Sequence, residues 1–104
     1  MKLGYGTWGI GGKDYGPLSQ NNAINLLNYS ILKGINFFDT APLYGDGNSE
    51  KYLGKVIQKH GREKIIISTK CGMLPHEGFD LKQNFNLENL FNDLYASLKR
   101  LNTQ

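Results

Sequence analysis

Trp8, Asp39 and Lys70 each end a run of strand-forming residues, and they stand 31 residues apart. That period limits the fold more than any other feature of the chain, because a strand, its loop and a returning helix together fill about 30 residues. The three runs are Lys2 to Trp8 (KLGYGTW), Ile35 to Asp39 (INFFD) and Lys64 to Lys70 (KIIISTK). The third is rich in β-branched residues and reads as a strand covered on both faces. In the first, glycine alternates with larger residues, which marks close approach of a ligand or another backbone. GTWGIGG then opens into a turn-rich loop through Gly16 and Pro17. No helix follows directly on its glycines, so the dinucleotide fingerprint of a doubly wound domain is rejected.

Helical spacing fills the intervals. Ser19 is placed to cap a helix from Gln20 to about Lys33, with Ala23, Ile24, Leu27 and Ile31 on its inward face and Gly34 as its stop. A second helix runs from Ser49 to His60, with Leu53, Val56 and Ile57 turned inward and Gly61 ending it. Cys71 to Asn86 reads as a loop of about sixteen residues, long enough for a functional role. Asn86 then caps a third helix, whose apolar stripe is Leu87, Leu90, Phe91, Leu94, Leu98 and Leu101. Strand and helix alternating three times predict an α/β fold with a right-handed parallel sheet. Units of this length are typical of a TIM-type (β/α)8 barrel, in which roughly 250 residues make eight repeats. Residues 1–104 hold only three such units and read as a single incomplete domain.

The stretch Asn36 to Gly54, NFFDTAPLYGDGNSEKYLG, concentrates the chemistry. A buried strand stops at a carboxylate, Asp39, and a small-residue turn leads to Tyr44 and a glycine-rich corner at Gly45 and Gly47. The carboxyl ends of parallel strands are where such folds place their sites, so Asp39 and Tyr44 stand at a candidate site. Each also has an ordinary explanation: Asp39 as a turn former, Tyr44 as packing, Lys70 as a strand-end charge, Trp8 as core volume. Ser49 and Glu50 read as a helix cap and a carboxylate favoured by the helix dipole, outside the site. His60, just before Gly61, complements the dipole at a helix end. His76 lies in the long loop, away from any strand end. Cys71, His76 and Glu77 lack the paired spacing of a zinc site, so no metal is expected.

Charge and composition exclude several classes. Twelve Lys and Arg against nine Asp and Glu give a net charge of +3, and the cations are scattered, which reads as a solvated surface rather than a nucleic-acid face. No apolar run approaches a membrane span, and MKLGYGTWG lacks the apolar region of a signal peptide. Cys71 is the lone cysteine and gives no sign of an oxidising compartment. The expectation is a cytoplasmic protein with no nucleic-acid or membrane partner.

The blocks GTWGIGG, GINFFDTAPLYGDGNSEKYLG, IIISTKCG and SLKRLNT resemble, in order and spacing, successive blocks of the aldo-keto reductases. The resemblance implies a barrel that binds a nicotinamide cofactor, usually NADP(H) with NAD(H) not excluded, and reduces an aldehyde or ketone to an alcohol. Its site uses Asp, Tyr, Lys and His, and three of the four fall on Asp39, Tyr44 and Lys70. Tyr44 is then the proton donor, Lys70 the ammonium that favours the phenolate, and Asp39 the carboxylate that anchors Lys70. By the same resemblance Gly6, Thr7, Trp8 and Asp39 bind the cofactor, and Trp8 and Tyr44 wall the pocket of a small-molecule carbonyl substrate. The family's histidine closes a fourth strand, which lies outside this sequence. The expectation is of a truncated reductase with little activity alone. The alternative is a non-catalytic interaction or regulatory fragment that self-associates through an open sheet edge.

Overall fold

The computed structural model describes residues 2–104. Strands β1 (Tyr5–Gly6), β2 (Phe37–Asp39) and β3 (Ile66–Ser68) form a parallel sheet in the order β1-β2-β3. Tyr5 stands opposite Phe38 and Gly6 opposite Asp39; Phe38 stands opposite Ile67 and Asp39 opposite Ser68. Helices α1 (Gln20–Leu32), α2 (Asn48–His60) and α3 (Leu87–Leu101) complete the α/β units expected from the sequence.

Alternation along the strands divides the molecule into two sides. Phe38 is fully buried with Ala23, Leu27, Leu53, Val56, Ile57, Ile65 and Leu101, and Tyr5 and Ile67 pack against the same cluster. Phe37 and Ile66, one residue out of phase, are exposed. This corrects the expectation that Lys64 to Lys70 is covered on both faces: only the helical side is covered. In a closed barrel the other side is the interior, which is filled by side chains from all the strands.

The strands are shorter than the apolar runs. Trp8 does not close β1 but begins a 3-10 turn, Trp8–Gly11, and Gly12 ends that turn in the left-handed region at φ 78°. Lys64 belongs to a second 3-10 turn, Arg62–Lys64, and Lys70 lies two residues past β3. The caps of α1 and α3 are as expected: Ser19 Oγ accepts from Asn22 N at 3.2 Å and Asn86 Oδ1 from Asn89 N at 2.8 Å. The cap of α2 is different. Gly47, at φ 87°, precedes a helix that begins at Asn48, which leaves the Ser49 and Glu50 side chains free for contacts elsewhere.

The segment expected as one long loop contains an antiparallel hairpin, β4 (Met73–Leu74) with β5 (Lys82–Gln83). The apolar stripe of α3 is buried only at its C-terminal end. Leu101 joins the core, whereas Leu87, Phe91 and Leu94 are exposed.

Core packing makes a contrast that denaturation can read. Phe38→Ala removes a fully buried ring and is expected to lower stability by about 3–5 kcal/mol. Phe79→Ala, at a wholly exposed position, is expected to stay within about 0.5 kcal/mol of the parent. Equal effects in equilibrium denaturation would contradict this placement of the core.

Candidate active site at the carboxyl end of the sheet

Asp39 ends β2 opposite Ser68 of β3, and Lys70 follows two residues past Ser68, within reach of Asp39. Lys70 Nζ donates to Asp39 Oδ2 at 2.7 Å and to the Thr40 carbonyl at 2.9 Å. The same ammonium stands 5.0 Å from the centroid of the Tyr44 ring. Tyr44 is carried by the turn after β2, which packs tightly on the turn after β1. Gly11 and Gly45 touch there, and a Cβ on either would overlap the other's backbone. That approach sets Trp8 beside Tyr44, with ring centroids 6.1 Å apart and planes at 25°. Tyr15 meets Trp8 edge-on, with ring centroids 5.0 Å apart.

The arrangement has a definite electrostatic sense. Partial burial works against the Lys70 charge, but the hydrogen bond to the Asp39 carboxylate, with Tyr44 close by, outweighs it. Lys70 is held above the ordinary lysine range. The structure thus brings Asp39, Tyr44, Lys70 and Trp8 to one place. Gly6 lies beside Asp39 in register, and a Cβ there would meet nothing within 4 Å. Thr7 is fully buried, and both its backbone N (2.9 Å) and its hydroxyl (3.0 Å) donate to the Asp39 carbonyl.

Three side chains have contacts that sequence reasoning did not anticipate. Ser49 and Glu50 are fully buried: Ser49 Oγ donates to the Thr7 carbonyl at 2.8 Å, and Glu50 accepts from Thr69 Oγ1 at 2.6 Å and Arg100 Nε at 2.5 Å. A carboxylate with no exposure needs such partners, since unpaired burial of a charge costs several kcal/mol or more. Their partners lie 19 to 50 residues away, and no local pattern marks them. His76 lines a cleft of about 450 Å³ together with Trp8, Lys13, Tyr44, Asp46 and Pro75. The β4–β5 hairpin carries it there. His60 meets Asn28 Oδ1 at 2.7 Å, joining α2 to α1. Among the described residues, no three His, Cys, Asp or Glu are grouped to hold a metal ion, and no helix is long and apolar enough to cross a membrane.

Three successive parallel βα units, with a phenol, an ammonium and a carboxylate gathered at the strands' carboxyl ends, are the architecture from which βα-barrel proteins are built. The sequence model of the Aldo/keto reductase family matches residues 2–104, and the chain belongs to that family. It is 36% identical over 103 residues to the aldo-keto reductase YhdN of Bacillus subtilis, covering 98% of this chain and 31% of that protein. It is 35% identical over 111 residues to the NADH-specific methylglyoxal reductase of Escherichia coli, covering 96% of this chain and 34% of the relative. The fold is similar to an aldo-keto reductase of Bacillus halodurans in its holo form, with a TM-score of 0.82 and 29% identity over 98% of this chain and 32% of that one. The chain thus spans about a third of the length of the relatives it matches.

The Lys70 contacts have a pH signature. Because the folded amine holds its proton more tightly than a free lysine, the stabilisation is complete below pH about 10.4 and is lost as pH rises through the higher folded value. Asp39→Asn removes the carboxylate and is expected to bring the Lys70 pKa down, read by NMR titration of its side-chain carbon. A titration that does not move would contradict the pairing.

Proposed function

We propose that the protein carrying these residues is a nicotinamide-dependent oxidoreductase that reduces an aldehyde or ketone to an alcohol. The observation that carries this reading is the position of the Lys70 ammonium, bonded to the Asp39 carboxylate and 5.0 Å from the centre of the Tyr44 ring. The residues at the strand ends suit a flat ring: Gly6 offers no side chain, and Trp8 is half exposed. Gly6, Trp8 and Asp39 would hold the nicotinamide, with Thr7 fixing the backbone between them. A reduced nicotinamide bound there supplies hydride to the carbonyl carbon.

The chain's own groups manage the proton. As negative charge grows on the carbonyl oxygen, the Tyr44 hydroxyl delivers its proton to that oxygen. A phenol is a weak acid near neutrality, with an ordinary pKa of about 10. The Lys70 ammonium favours the phenolate left behind, and Asp39 keeps that ammonium charged and aimed. Trp8 and Tyr44, stacked at the cleft, wall the substrate, and His76 adds a polar group to the same wall.

The proposed cofactor is NADP(H), as the family resemblance implies. The Escherichia coli relative carries NADH in its name, so parallel assays with the two cofactors decide the preference: faster turnover with NADPH supports this assignment, and faster turnover with NADH overturns it. The 104-residue chain assayed alone is proposed to turn over little, because Phe37 and Ile66 leave one side of its sheet open to solvent.

A second reading, a reductase-derived interaction module that associates through the β3 edge, draws on the exposure of Ile66, Leu87, Phe91 and Leu94. It predicts an oligomer that does not quench Trp8 fluorescence on titration with NADPH. Under the enzyme reading, Tyr44→Phe in the protein carrying these residues lowers kcat by about 10²–10⁴-fold with cofactor affinity unchanged. Retention of half the parent rate would exclude Tyr44 as the proton donor.

A further inference from the structure

Ser49 and Glu50, neighbours in the first turn of α2, hold the backbone beside both members of the Asp39–Lys70 pair. Ser49 Oγ donates to the carbonyl of Thr7, whose own N–H and hydroxyl both donate to the carbonyl of Asp39. Glu50 accepts from the hydroxyl of Thr69, the residue immediately before Lys70. In an extended chain successive side chains point to opposite sides. Thr69 is anchored to α2 on the helical side, and Lys70, the next residue, reaches Asp39 and stands beside Tyr44. The anchor is itself fixed, because Glu50 is fully buried and its second oxygen accepts from Arg100 of α3, which also reaches Ser97 Oγ at 3.3 Å.

We infer that Thr69 and Glu50 are positioning residues for the reductive chemistry, and that the buried Glu50 carboxylate sets the place of the Lys70 ammonium through the Thr69 hydroxyl. Three features distinguish this from ordinary packing. Arg100 reaches only one oxygen of the buried Glu50 carboxylate, and the other is filled by the hydroxyl that adjoins Lys70. Lys70 lies past the last ladder residue of β3, Ser68, so strand pairing does not itself fix Lys70. The corresponding turn after β1 is held from the adjacent residue of the same helix, so one rigid element sets both strand ends. Misplacement of a catalytic group by a fraction of an ångström to an ångström costs up to about 10²-fold in rate.

The inference rests on the reductase reading, and Thr69→Val separates the two. Valine has nearly the shape of threonine and removes only the hydroxyl, leaving the Glu50–Arg100 pair in place. In the protein carrying these residues, Thr69→Val is expected to lower kcat by about tenfold and to shift the alkaline limb of its pH profile, with KM for cofactor unchanged. Thr69→Ser, which keeps the hydroxyl, is expected to recover the parent values. The groups facing Lys70 are Asp39 and Tyr44, and loss of their contacts is expected to lower its pKa in an NMR titration, a readout that does not depend on turnover. A Lys70 titration unchanged in Thr69→Val, or lowered equally in Thr69→Ser, overturns the positioning role even if Tyr44→Phe is inactive. A parent protein without carbonyl reduction overturns the reductase reading, and the same titration still decides whether Thr69 places Lys70.

Discussion

Asp39 joins three strand ends through two different groups. Its backbone carbonyl receives both the N–H and the hydroxyl of Thr7 from the β1 side, and its carboxylate receives Lys70 from the β3 side. The register places Gly6 and Ser68 on either side of it. The carboxylate and the ammonium are both well exposed, so their pairing contributes little to stability. Its consequence is directional: it aims an ammonium at Tyr44.

Rigidity comes from the opposite side of the sheet. Phe38, adjacent to Asp39, is sunk among the helices, so the residue that carries the functional carboxylate cannot shift without disturbing the core. Glu50 extends the same logic by bringing a charge into that protected layer. Burying it is costly unless its oxygens are filled, and the groups that fill them lie at the end of β3 and on α3. The site is thus supported from beneath by α2 while its upper surface stays accessible.

Much of this was legible in the sequence where the signal is local. The 31-residue period found the three strands, Ser19 and Asn86 announced their helices, and Asp39, Tyr44 and Lys70 fell at one end of the sheet. The misreadings have physical causes. Trp8 belongs to a 3-10 turn just past β1, which Gly12 closes in the left-handed region. Ser49 looked like a cap, but Gly47 in the left-handed region starts the helix earlier and frees Ser49 and Glu50 for distant partners. Hairpin β4–β5 pairs only two residues on each strand, too few to imprint an alternating pattern. His76 reaches the cleft through that hairpin, so its sequence neighbours said nothing of its destination.

The most direct measurement is a crystal structure of the protein carrying these residues with a nicotinamide cofactor and a carbonyl ligand bound. The account predicts the carbonyl oxygen within hydrogen-bond reach of the Tyr44 hydroxyl, about 2.6–3.2 Å, with Lys70 still on Asp39 and Trp8 against the ligand. A ligand held elsewhere, with the Tyr44 hydroxyl and the Lys70 ammonium facing different sides of the molecule, would contradict it.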